Sequence, residues 1–238
     1  MSTGWLDHFE AFSLTHAATL AAWAALTAAI ILIGTRQHGR AAARMDRVLG
    51  VMGLIAWIGV NAWWLAPANF EWQRSLPLQI CDLAALAAPL AFLTHTRFFR
   101  IILYFWGVGL SSQGLLTPIV SVGPAHAEFW IAWINHGVIG TFAIYDVVVR
   151  GYRPTRRDAL IAILTAAAFI ALILPVNIAT GWNYAYVGDS RPGSPTLIDH
   201  LGPWPLRILW IALLAILAMI LALLPWEIVR RRTPDPTR

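Results

Sequence analysis

The chain has 238 residues, 58% of them hydrophobic and only 12% charged, about half the charge of an ordinary soluble domain. A soluble core of this length does not hide that much apolar surface, whereas lipid accepts it. The formal charge is +5, every basic residue is an arginine, and Cys81 is the only cysteine; this excludes an intrachain disulfide and a multi-cysteine metal site, and no basic run interleaved with aromatics points to nucleic acid.

Seven apolar stretches supply the ~20 residues a helix needs to cross a hydrocarbon core of about 30 Å. They lie near 13–34, 48–66, 77–95, 98–117, 128–149, 159–179 and 205–229. The residues before the first carry Asp7 and Glu10 but no basic residue, the reverse of a cleavable leader. Span one holds His16, and the connection after it holds Arg36, Arg40, Arg44 and Arg47. Span two holds Asn61. Ser75-Leu76-Pro77 reads as the N-cap and first turn of span three, which carries Gln79, Cys81 and Asp82. Arg97 and Arg100 mark the tight turn into span four, which carries Ser111, Ser112 and Gln113. Span five holds Trp133, Asn135 and His136, with Gly137 and Gly140 spaced for close approach of a neighbour. Arg150, Arg153, Arg156 and Arg157 precede span six, which holds Asn177. The connection 180–204, containing Asn183 and Tyr184, is rich in Gly, Pro, Asn and Asp and reads as an ordered cap or re-entrant loop. Arg230, Arg231, Arg232 and Arg238 end the chain.

In this seven-span reading, 14 of the 17 arginines fall on one side. The positive-inside rule makes that side cytoplasmic, with the N-terminus outside and the C-terminus in the cytoplasm. Six or eight spans would scramble the alternation. Tryptophans at the opposite ends, among them Trp63, Trp64, Trp72, Trp130 and Trp204, read as an interfacial belt. The expected fold is therefore all-α: one integral membrane domain, 1–238, with seven transmembrane helices.

Polar groups inside spans are costly and need a reason. At ~1.5 Å per residue, Cys81 lies about 8 Å and His136 about 12 Å below the outer ends of their helices, and the others at comparable depth. The inner half is nearly bare except for Thr27 and the Tyr145-Asp146 pair. Polar residues from six helices at one depth suggest a cavity facing the outer leaflet. Singly, Asn61, Ser111 and Ser112 read as polar glue between helices, and a lone Cys as a small hydrophobe. Asp82 needs a proton, a partner or water, with His16 or His136 as partner. A helix N-terminus near Cys81 favours a thiolate, and a thiol with an imidazole is the equipment of acyl transfer.

The ordered set Phe12-Ser13-Leu14-Thr15-His16, Leu76-Pro77-Leu78-Gln79-Ile80-Cys81, Gly114-Leu115-Leu116-Thr117-Pro118 and Asn135-His136-Gly137 resembles the bacterial YwaF-type integral membrane proteins. Asn177 with Gly181-Trp182-Asn183-Tyr184, and Leu197-Ile198-Asp199-His200-Leu201-Gly202-Pro203-Trp204-Pro205, extend the resemblance through nearly the whole chain. That family is related to a eukaryotic transmembrane acyltransferase family that moves fatty acyl chains between phospholipids through a Cys and a His. The resemblance implies a multi-pass protein of the bacterial cytoplasmic membrane, with membrane lipids as partners, Cys81 as acyl-accepting nucleophile and His136 as its base. Gln79 stands where some relatives have histidine.

The expected function is phospholipid acyl transfer, or acyl hydrolysis, through Cys81 and His136. Asp82, Asn135, Gln113, Asn177 and His16 are the orienting or oxyanion candidates, and Gln79, Asn61, Trp133, Asn183 and Tyr184 the candidate substrate contacts. The alternative is a transporter, or a lipid or small-molecule binder, using the same polar residues without covalent chemistry. A third reading, a structural subunit, makes them glue only. Neither metal nor cofactor is expected, since His16, His136 and Asp82 lack tight ligand spacing.

Overall fold

The computed structural model describes residues 4–189 and 197–232; Arg191 and Arg238 of the arginine tally lie outside them. Helices dominate: α1 (Leu14–Thr35), α2 (Gly39–Leu65), α3 (Ile80–Thr94), α4 (Arg97–Trp106), a π turn (Gly107–Ser111), α5 (Gln113–Leu116), α6 (Ala127–Val148), α7 (Arg156–Thr180) and α8 (Arg207–Arg232). Among the described residues β structure is confined to one isolated bridge, His8 with Val122. Five helices, α1, α2, α6, α7 and α8, are long and apolar enough to cross a membrane.

The other two predicted spans differ from expectation. Span three is a helix of only 15 residues, roughly 22 Å long at 1.5 Å per residue. Ser75 does not cap it: its hydroxyl accepts the Glu71 N–H at 2.8 Å and donates to the Asn69 carbonyl at 3.3 Å. The helix opens at Ile80 instead, where the Asp82 carboxylate takes the Gln79 N–H at 3.0 Å. Span four is interrupted by the π turn. Span two begins earlier than the hydropathy suggested, at Gly39, so that Arg40, Arg44 and Arg47 ride on its first turns.

The two irregular helices form the core. Ala84, Ala85, Ala87, Ala88, Ala91 and Phe92 of α3 are all buried, as is every residue of α4 from Ile101 to Trp106. A helix hydrophobic on all sides belongs inside a bundle, and the alanines let neighbours come close. Gly50 and Gly53 of α2 meet them: a Cβ on Gly53 would stand 2.9 Å from Phe142 of α6. By contrast few residues of α1 and α8 are buried along their apolar windows, as expected of lipid-facing helices. Gly34 lets α1 lie against Tyr145, and Thr27 shares a 2.8 Å hydroxyl bond with Thr141 of α6.

One end of the bundle is fastened by ion pairs. Arg97 forks onto Asp158, using Nε at 3.0 Å and Nη2. Arg100 binds Asp146 at 2.9 Å. Arg150 reaches Asp46 at 3.1 Å, Asp146 at 3.2 Å and the Ala91 carbonyl at 3.2 Å. Its guanidinium also lies 4.4 Å from the Phe92 ring centroid. Arg97 and Arg100 both face the Tyr152 ring, and burial pushes that phenol well above its ordinary range. Glu227 of α8 holds Arg156 and Arg230. Several arginines that set the charge asymmetry are therefore internal braces.

Asp146 holds both Arg100 and Arg150, with its side chain 2% exposed. Breaking a buried pair strands its partners at about 3–5 kcal/mol. Asp146→Ala is therefore expected to lower the melting temperature of the detergent-purified protein sharply. Arg47→Ala, which removes an exposed arginine, is expected to leave it unchanged; equal melting of the two variants would refute the bracing role.

Candidate functional site

The end of the bundle opposite the ion pairs is closed by two lids. In the first, the N-terminal segment pairs with the α5–α6 connection. Phe9 N–H donates to the Ser121 carbonyl at 2.9 Å, Gly123 N–H to Asp7 at 3.0 Å and Ala125 N–H to Leu6 at 2.8 Å. Phe9 then plunges between Phe129 and Trp133, all three buried. In the second lid, residues 181–188 lock onto 66–79. Asn177 spends both ends of its amide on the Tyr184 backbone, donating to the carbonyl at 2.8 Å and accepting the N–H at 3.0 Å. The fully buried Tyr184 hydroxyl donates to the Trp72 carbonyl at 2.6 Å and accepts the Leu76 N–H at 3.1 Å. Gln79 accepts the Ala185 N–H at 2.8 Å, and Asn183 accepts the Gly188 N–H at 2.9 Å. Arg207, another buried arginine, holds the Gly188 carbonyl at 2.7 Å. Four residues singled out from sequence, Asn177, Asn183, Tyr184 and Gln79, thus build the cap, with the Asn177 amide turned onto the Tyr184 backbone.

His16 and His136 are in different states. His16 is buried, and Nδ1 accepts the Phe12 N–H at 2.8 Å. Nε2 must then carry the proton, which it gives to the Leu115 carbonyl at 2.8 Å. Both nitrogens are committed to backbone, so His16 fastens the first lid to α5. His136 is half-spent. Its Nδ1 lies 2.9 Å from the Ala132 carbonyl, which can only accept, so Nδ1 bears the hydrogen and Nε2 is a bare acceptor. Among the described residues Nε2 has no hydrogen-bond partner. The ring fits only because residue 114 is glycine: a Cβ there would overlap the His136 ring. Gly137, the next residue on α6, gives the same room to Trp23 of α1.

Cys81 is the second residue of α3, at the helix start rather than a turn inside it. Its thiol packs partly buried against the main core, with Asp82 Oδ1 at 4.0 Å. Asp82 pairs with neither histidine, contrary to expectation; its carboxylate caps α3, and its carbonyl accepts Trp57 Nε1–H at 3.1 Å. Ala85, one turn after Cys81 and so on the same face, lines a narrow crevice with Trp57, Asn135 and Val138. Asn135 is 8% exposed, and among the described residues its amide makes no hydrogen bond. Asn61 bonds the Trp57 carbonyl of its own helix at 2.8 Å. Trp133 is buried beside His16, with its Nε1 unpartnered among the described residues. Gln113 is exposed on α5.

The polar layer is thus divided. Gln79, Asn177, Asn183 and Tyr184 form a cap; His16 and Trp133 form a lid anchor. Cys81 and Asp82 stand at the start of α3, Asn135 of α6 lines a crevice with Ala85 of α3, and His136 packs on Gly114 of α5. No hydrogen bond joins the thiol to the imidazole among the described residues. Sequence reasoning missed Trp57 and the part played by Gly114. In sequence Gly114 is only the first residue of the Gly-Leu-Leu-Thr-Pro motif, and Trp57 reads as one more apolar residue.

A family model described as the TMEM164 family matches residues 11–223. No curated protein and no solved structure matches the chain.

The Gly114–His136 contact is open to test. Gly114→Ala drives a methyl group into the imidazole and is expected to cost about 1–3 kcal/mol, as overpacking does, read as a lower melting temperature. At Gly59 a Cβ would meet nothing within 4 Å, so Gly59→Ala gains helix propensity, about 0.5–1 kcal/mol. The opposite order of stabilities would show that His136 points elsewhere.

Proposed function

This chain belongs to the TMEM164 family, and we propose that it is a membrane-embedded enzyme that transfers an acyl chain from a phospholipid through Cys81 and His136. It is a membrane protein with several apolar helices. The proposal counts seven crossings, adding α3 and the α4–α5 rod to the five long helices. It puts the ion-paired end in the cytoplasm and the capped end outside, in a bacterial cytoplasmic membrane. The shared end of the arginine-bearing connections and the YwaF-type motifs support this arrangement.

The observation that carries the chemistry is the state of His136. Its Nδ1–H is held by the Ala132 carbonyl and its Nε2 lone pair is free, as a general base requires. In the reaction proposed, Nε2 takes the thiol proton as Cys81 Sγ attacks the ester carbonyl. The C–S bond forms, the ester C–O bond breaks, and the proton passes to the departing lysolipid oxygen. A second hydroxyl, of a lysolipid or of water, then attacks the thioester, gives its proton to Nε2 and restores the thiol. The N–H groups of Ile80 and Cys81, the first two of α3, have no backbone partner among the described residues and are suited to the tetrahedral oxyanion, a role worth about 3 kcal/mol. The unpartnered Asn135 amide is the side-chain candidate for that role, with Gln113 further out. His16 supports the site by position, and Trp133, Asn61 and the cap residues shape the approach of the lipid.

The test uses purified protein in lipid nanodiscs with acyl-labelled phospholipid and a lysolipid acceptor. Cys81→Ala and His136→Ala are each expected to lower acyl release and exchange by at least about a hundredfold, and Cys81→Ser to leave a small residue of activity. Wild-type exchange by both alanine variants ends the thiol mechanism. If Cys81→Ser is harmless while Asp82→Asn abolishes uptake of a solute into proteoliposomes, the site is a transport site.

A further inference from the structure

At the ion-paired end, α1 and α2 do not close on one another. Their ends diverge around an open groove of about 470 Å³, within the usual range of ligand clefts, about 300–1,000 Å³. Ile33, Met45, Val48 and Leu49 give it apolar walls, and Gln37 and Arg44 stand at its mouth. Arg97, Arg100, Arg150, Arg156 and Arg230, at the same end, are all neutralised by Asp or Glu. Arg36, Arg40, Arg44 and Arg47 are exposed and have no ion pair among the described residues. The one acid within this stretch, Asp46, is turned inward to Arg150. Arg40 and Arg44 are one turn apart and share a face of α2.

An apolar slot with uncompensated positive charge at its rim has the complement of a lipid carrying a net negative headgroup. We propose that this groove binds one anionic phospholipid, with an acyl chain along Ile33, Met45 and Val48 and the phosphate against Arg44 and Arg40. The site lies at the far end of the bundle from Cys81 and stands independently of the acyl-transfer reading. A zwitterionic lipid fits the slot equally but forfeits the net attraction, about 1 kcal/mol per arginine.

Native mass spectrometry of the full chain, released from detergent with added phosphatidylglycerol or phosphatidylcholine, tests the proposal. The wild type is expected to retain phosphatidylglycerol in preference. Arg40→Ala and Arg44→Ala are each expected to weaken that retention about fivefold. Val48→Trp, and as a second block Ala41→Phe, fill the groove with both charges kept and are expected to abolish it. Arg157→Ala, an exposed arginine away from the groove, serves as control, and unchanged melting temperatures show that the variants fold. Equal retention of the two lipids, loss on Arg157→Ala to the same extent, displacement by millimolar inorganic phosphate, or full retention by both blocked variants would each overturn it.

Discussion

A helix of 15 residues stands at the centre of a protein whose other long helices have 22 to 27. Inside lipid every backbone N–H and C=O must find its partner within the protein, and α3 is too short to carry its own chain through the full thickness. What precedes it, residues 66–79, has to be satisfied by something other than a helix. Ser75, Gln79, Asp82 and the Tyr184 hydroxyl meet that need, the last by serving two backbone groups of this segment at once. The cap on this end follows from the shortness of α3, and so does the placement of Cys81: a longer helix would have put that thiol in a middle turn, with its N–H groups already used.

The opposite end solves a different problem. Small alanine faces let α3 approach α2, α4 and α6 closely, but they offer little side-chain interlocking to fix the helices in register. The carboxylates Asp46, Asp146 and Asp158, drawn from three helices, supply that register through Arg97, Arg100 and Arg150. Charge pairs of this kind are weak evidence for stability and better evidence for a specified arrangement. The bundle is held by directional contacts at its two ends, with an apolar, closely packed middle.

Much of this was legible in the sequence. The apolar runs located α1, α6, α7 and α8 to within a few residues, and the arginine alternation brought the right helix ends together. The lengths of α2 and α3 were not legible. Hydropathy cannot see that Arg40, Arg44 and Arg47 belong to a helix that runs on past its apolar stretch, nor that Pro77 sits in a loop held by a tyrosine more than a hundred residues away. The site was legible as a set of residue types but not as a geometry. His16 and His136 look alike in sequence, each a lone imidazole at membrane depth, and only their backbone partners separate a brace from a free acceptor. Asn177 looked like a catalytic amide because a loop seven residues on, which consumes both of its ends, leaves no mark in composition.

The π turn at Gly107–Ser111 carries a consequence for how this chain tolerates change. Such a turn holds one residue more than an α-helical path of the same length. Losing that residue would leave a perfectly good helix, with its hydrogen bonds regularised, and would cost little in local terms. Because the turn absorbs its extra residue without changing the path of the flanking helix, that loss would leave the gap at residue 114 against the imidazole, whereas loss of a residue from the regular turns of α4 would rotate everything downstream by about 100° around the axis and carry the gap away. The spare residue sits in the turn itself, so a deletion there is absorbed locally, while one a few residues earlier is felt at the site.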